Sequence, residues 1–66
     1  MKTTLEIFCS FAGWQGGTLA QALQLFRSWP LAEKDRFCSE VFRVQDAGNL
    51  ADPENFLLFT RARIGR

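Results

Sequence analysis

Apolar and polar positions alternate from Lys2 to Phe11. Leu5, Ile7, Cys9 and Phe11 fall on one side, and Thr4, Glu6, Phe8 and Ser10 on the other. A period of two predicts a strand, and the β-branched and aromatic content agrees. The period then changes. Leu19, Ala22, Leu23 and Phe26 recur at i, i+3, i+4 and i+7, which predicts a helix over Leu19–Ser28, its apolar side widened by Leu25 and Trp29. Pro30 disfavours helical geometry at Trp29, so the helix ends there. A second helix is predicted from Leu31 to Gln45. Its stripe is Phe37, Cys38, Val41 and Phe42, extended by Leu31 and Val44, with Glu33, Lys34, Arg36, Glu40 and Arg43 on a mixed-charge face. The short Trp29-Pro30 joint predicts an antiparallel helical hairpin, and Gly48 is the expected C-cap of its second arm.

The last segment carries two patterns. Asp52-Pro53-Glu54 opens like a helix, with a capping residue, a first-turn proline and an acid at the positive dipole end. Phe56 to Ile64 instead alternates like a strand, with Phe56, Leu58, Thr60, Ala62 and Ile64 facing one way and Leu57, Phe59, Arg61 and Arg63 the other. The N-terminal strand needs a hydrogen-bonding neighbour, since unpaired buried backbone groups are costly. Phe56–Ile64 is the remaining strand-like run. The expectation is therefore a turn at Asp52-Pro53-Glu54-Asn55 and a second strand. The predicted fold is a single α+β domain spanning residues 1–66, ordered β-α-α-β, with a two-stranded sheet covered on one face by the helical hairpin.

Between the first strand and the first helix lies Phe11-Ala12-Gly13-Trp14-Gln15-Gly16-Gly17-Thr18. Its glycines allow a sharp turn, and Thr18-Leu19-Ala20-Gln21 fits a capping box. A glycine loop entering a helix can cradle phosphate, but the P-loop lysine is missing and the chain is too short for a dinucleotide-binding unit. A structural turn is the expected role, with Trp14 and Gln15 as candidate contacts for a partner.

Composition narrows the function classes. The chain has 66 residues, 47 % of them hydrophobic, seven phenylalanines, two tryptophans, no histidine and a formal charge of +1. A near-neutral chain has no global field drawing it to nucleic acid or membrane. Cys9 and Cys38 follow no metal-ligand spacing and are expected to be buried free thiols. No cofactor is implied. Glu6 interrupts the N-terminal apolar run, no small-residue cleavage site follows, and bulky Phe8 before Cys9 argues against a lipoprotein site. No apolar run is long enough for a bilayer, so the cytoplasm is the expected compartment. Neither cysteine has a base beside it, and no carboxylate pair is set in a cleft. A non-enzymatic role is expected.

A sheet covered on one face leaves the other open, and the predicted register places Glu6, Phe8, Leu57, Phe59, Arg61 and Arg63 there. Exposed aromatics beside arginine are frequent in contact sites. The first expectation is a protein-binding regulator or inhibitor that docks on a larger partner through Phe8, Trp14, Gln15, Phe59, Arg61 and Arg63. The second is single-stranded nucleic acid, with Phe8 and Phe59 stacking bases and Arg61, Arg63 and Arg66 on phosphates. The third is a structural homodimer that buries the open face. Acids at Glu33, Asp35, Glu40, Asp46, Asp52 and Glu54 suggest an acidic flank opposite a basic C-terminal edge. As a whole, a very short single domain without catalytic equipment resembles small phage- or mobile-element-borne inhibitors, anti-CRISPR proteins among them. That resemblance implies occlusion of a larger protein's surface.

Overall fold

Thr3 and Glu6 set the chain off as a helix. The Glu6 backbone N–H donates to the Thr3 hydroxyl at 3.1 Å, and the Thr3 N–H donates to Glu6 Oε1 at 2.8 Å. This reciprocal capping box satisfies two of the donors that a helix start leaves unpaired. The computed structural model describes residues 3–46 and 52–65. Its elements are α1 (Thr4–Ala12), α2 (Leu19–Arg27), α3 (Leu31–Asp46) and α4 (Pro53–Ile64). Among the described residues there is no strand. The expected β-α-α-β fold with a two-stranded sheet is thus replaced by a small all-helical domain. The expected C-cap at Gly48 lies outside the described residues.

Both predicted strands are helices, for related reasons. Residues 2–11 carry two periods at once. Thr4, Ile7 and Phe8, at i, i+3 and i+4, are the buried positions of α1, and Phe11, at i+7, is half-buried. With the capping box in front, backbone donors are satisfied within the segment and no neighbouring strand is required. The need for a pairing partner at the C-terminus then vanishes as well. Asp52, Pro53 and Glu54 act as a helix opening, with the Asp52 carboxylate accepting from Asn55 Nδ2 at 3.1 Å.

Gly13 closes α1 in the left-handed region, at φ 66°, and the Trp14 N–H donates back to the Cys9 carbonyl at 3.1 Å. The glycine-rich stretch therefore leaves a helix rather than a strand. It enters α2 through the expected capping box: the Gln21 N–H donates to Thr18 Oγ1 at 3.2 Å and the Thr18 N–H donates to Gln21 Oε1 at 2.9 Å. Gly17, at φ 147°, has no room for a side chain, since a Cβ there would stand 2.8 Å from the Trp14 ring.

The joint Ser28-Trp29-Pro30 ends α2 where expected, and the Pro30 carbonyl accepts from the Glu33 and Lys34 N–H groups to begin α3. The two helices do not form the expected hairpin, however. α2 packs chiefly on α4, and α3 also packs on α4, while the backbones of α2 and α3 are seldom close and the two helices meet through Phe26 and Phe37, whose ring centroids lie 5.6 Å apart. At the joint the Trp29 ring turns inward, stacked on Phe8 at 5.0 Å and edge-on to Phe26 at 5.3 Å.

Each helix delivers one fully buried phenylalanine: Phe8, Phe26, Phe37 and Phe59. Their ring centroids lie 4.8 to 6.3 Å apart in all six pairings, the range in which aromatic quadrupoles attract beyond simple area burial. Ile7, Ala22, Val41 and Ala62 complete the buried set. Thr4 is buried too, and its hydroxyl donates to the Asp52 carbonyl at 3.1 Å. This bond ties the start of α1 to the start of α4.

Candidate functional site

The expected docking face does not exist, because Phe8 and Phe59 are its proposed anchors and both are at 0 % exposure. They face each other in the core at 5.2 Å. Trp14 is half-buried and lies edge-on to Phe8 at 5.7 Å, while Gln15 beside it is exposed. Arg61 is exposed on the outward side of α4, and Arg63 is half-buried on another side of the same helix. Of the six predicted contact residues, then, two are core, two sit in the α1–α2 loop and two diverge around α4. The base-stacking expectation loses both of its aromatics to the interior, and Arg66 lies outside the described residues.

A different surface takes shape where α3 runs beside α4. Asp35, Cys38, Ser39 and Phe42, spaced i, i+3, i+4 and i+7 along α3, form one wall of an open groove. Phe56, Thr60 and Arg63, spaced i, i+4 and i+7 along α4, form the other. The groove has a volume of about 510 Å³. Helical spacing on both walls means that two side-chain ridges bound it, and such a valley can receive a third ridge.

Phe42 is the most conspicuous member, with 59 % of its surface exposed. The sequence pattern assigned it to the buried stripe of α3, but a helical projection gives the correction. At about 100° per residue, Phe42 lies roughly 120° from the direction shared by Phe37 and Val41. Phe37 and Val41 are buried, and Cys38 is half-buried. The signal was therefore present in the spacing, and its apolar character concealed it.

Charge at the groove is balanced. Arg63 Nη1 meets Asp35 Oδ1 at 2.6 Å, with the two side chains 35 % and 50 % exposed. At that exposure solvent screening leaves the pair a modest energy, so its main effect is to fix the position of two side chains from different helices. Thr60 spends its proton on its own helix, donating to the Phe56 carbonyl at 2.9 Å. Burial pushes the Cys38 thiol above its ordinary pKa. The nearby Arg63 guanidinium opposes that rise and Asp35 adds to it. A thiol held in its neutral form is a poor nucleophile. Cys9 and Cys38 are both free and half-buried, more accessible than the expected buried thiols.

Much of the expected acidic flank is neutralised by arginine. Glu33 pairs with Arg36 at 2.6 Å and Glu40 with Arg43 at 2.5 Å along α3, and Asp35 is held by Arg63. Arg36 also lies over the Phe11 ring at 5.8 Å. Among the described residues no group of three or more His, Cys, Asp or Glu side chains could hold a metal ion, and no helix is long and apolar enough to cross a membrane. Comparison with protein families, with curated proteins and with solved structures finds no match to this chain.

Proposed function

We propose that this chain is a small non-enzymatic protein-binding regulator or inhibitor, which docks on a larger protein and occludes its surface. The observation that carries the reading is Phe42, a large aromatic 59 % exposed at a groove lined by Phe56 and Cys38 and bridged by Asp35 and Arg63. Aromatic side chains and arginine dominate the energetics of protein interfaces. The occupant that fits is an amphipathic helix of the partner, laid between α3 and α4 with an apolar ridge against Phe42 and Phe56. The groove's internally paired charges favour an apolar ridge over a strongly charged one.

Defence nucleases and their effector complexes are the first partners to assay, because the resemblance to phage-borne inhibitors implies them. Each purified complex is titrated calorimetrically with the chain and with its Phe42→Ala variant. A hot-spot aromatic costs on the order of 2 kcal/mol when truncated, so affinity for the true partner falls about thirtyfold or more. The circular dichroism spectrum and the urea midpoint stay unchanged. A partner bound equally well by the wild type and the variant refutes docking through this groove.

A further inference from the structure

α4 is apolar on two sides. Phe59 and Ala62 are buried against the other helices, yet Leu57 and Ile64 are 59 % and 63 % exposed, and Leu58 is 38 % exposed. Glu54 and Arg61 lie on this outward side, both exposed. Neither side chain makes an ion pair or hydrogen bond among the described residues.

The order of these residues is symmetric. Glu54-Asn55-Phe56-Leu57 is followed by Leu58-Phe59-Thr60-Arg61, so polarity reads the same from both ends about the Leu57–Leu58 midpoint, with the terminal charges opposite in sign. The helical projection turns this order into a surface. Glu54 and Arg61 are seven residues apart, so they lie within about 20° of one line along α4, separated by roughly 10 Å. Leu57 and Leu58 straddle that line, each about 50° to one side.

We infer that the outward side of α4 is a self-complementary interface that pairs two copies of this chain. A two-fold axis that lies between the copies, perpendicular to α4 and level with the Leu57–Leu58 midpoint, sets the helices antiparallel. It brings Leu57 of one copy over Leu57 of the other, and Leu58 over Leu58. The same rotation sets Glu54 of each copy over Arg61 of its mate. Two leucine contacts and two ion pairs therefore form from one patch, which is the defining property of an isologous contact. A second copy is the occupant because the pattern complements itself in both charge and shape. A single pair of short helices buries less than a standard interface of about 1,600 Å², so the dimer is weak and concentration-dependent. The groove along Phe56, Thr60 and Arg63 lies on another side of α4 and stays open in the dimer, which would present two grooves.

Sedimentation equilibrium of the full chain tests this. The average mass should rise from the 7.5 kDa of one chain towards twice that value as concentration approaches about 1 mM, the regime of small, weak interfaces. Glu54→Arg and Arg61→Glu, each alone, should weaken self-association by about fivefold or more, because each sets like charges face to face twice. An equimolar mixture of these two variants should associate again, since both contacts then join opposite charges. Circular dichroism confirms that each variant is folded, and Phe42→Ala serves as a control that leaves the dimer intact. A wild-type chain that stays monomeric at the highest concentration overturns the inference. So does a mixture that associates no better than either variant alone. Neither result bears on the groove, so the two surfaces stand or fall separately.

Discussion

Phe8 is the side chain on which the fold makes its sharpest demand. It is fully buried, and five aromatic rings surround it: Trp14 at 5.7 Å, Phe26 at 6.3 Å, Trp29 at 5.0 Å, Phe37 at 5.4 Å and Phe59 at 5.2 Å. Truncating a buried phenylalanine to alanine costs about 3–5 kcal/mol through lost transfer energy and the cavity left behind. A single core in a chain this short supplies about 3–5 kcal/mol in total. Phe8→Ala should therefore be largely unfolded at 25 °C without denaturant. Phe8→Leu keeps most of the volume and loses the ring–ring geometry, each such pair being worth about 0.5–1.5 kcal/mol. Because these pairs share one ring their energies do not add, and a loss of about 1–2 kcal/mol is expected overall. With a urea slope near 1 kcal/mol/M for a small domain, the midpoint should fall by about 1–2 M. The assay is a urea titration followed by helical circular dichroism and by tryptophan fluorescence, since Trp14 and Trp29 both contact Phe8. Phe42→Ala is the surface control and should shift stability by no more than about 0.5 kcal/mol. If Phe8→Ala unfolds cooperatively at the wild-type midpoint, the aromatic centre described here does not hold the domain together.

Three further outcomes can be measured in the same way. Thr18→Ala removes one half of the capping box at α2 and should cost about 1 kcal/mol of unfolding free energy, read as a lower thermal midpoint; an unchanged midpoint would show that the cap is idle. Gly17→Ala places a Cβ against the Trp14 ring and the Gln21 side chain at a positive φ, so it should destabilise by about 1–3 kcal/mol and alter Trp14 fluorescence. Cys38 sets an alkaline limit: below its unfolded pKa, about 8.5, the thiol is neutral in both states and contributes no pH dependence. As pH climbs from there towards the raised folded value, the unfolded chain loses its proton first, and stability declines. Cys38→Ser should flatten that alkaline decline, and a decline of equal slope in the variant would assign it to another group.

The boundaries of α2 and the start of α3 were legible because their causes are local. Thr18 and Gln21 announce the start of α2, Pro30 marks its end, and Asp52-Pro53-Glu54 opens α4 in the manner of a helix. Thr3 and Glu6 form an equally plain signal for α1, but the alternation of Leu5, Ile7, Cys9 and Phe11 masks it. Once residues 2–11 are taken as extended, a pairing strand is required, and that requirement overrides the helix opening at Asp52. One ambiguous period at the N-terminus thus decides the assignment at the opposite end. The site was less legible than the elements. Arg63 was marked as a contact residue and lies in the groove, but Phe42 was placed in the core and Phe8 and Phe59 on the surface.

The chain by itself determined where its helices begin and stop, since caps and prolines act on donors and acceptors only a few residues away. Tertiary packing decided which aromatic goes inward. Phe8, Phe37, Phe42 and Phe59 are the same side chain chemically, yet three are fully buried and one is 59 % exposed. The difference is what stands opposite each ring once four helices meet, because burial depends on the neighbours that fold against a residue and not on its own hydrophobicity alone.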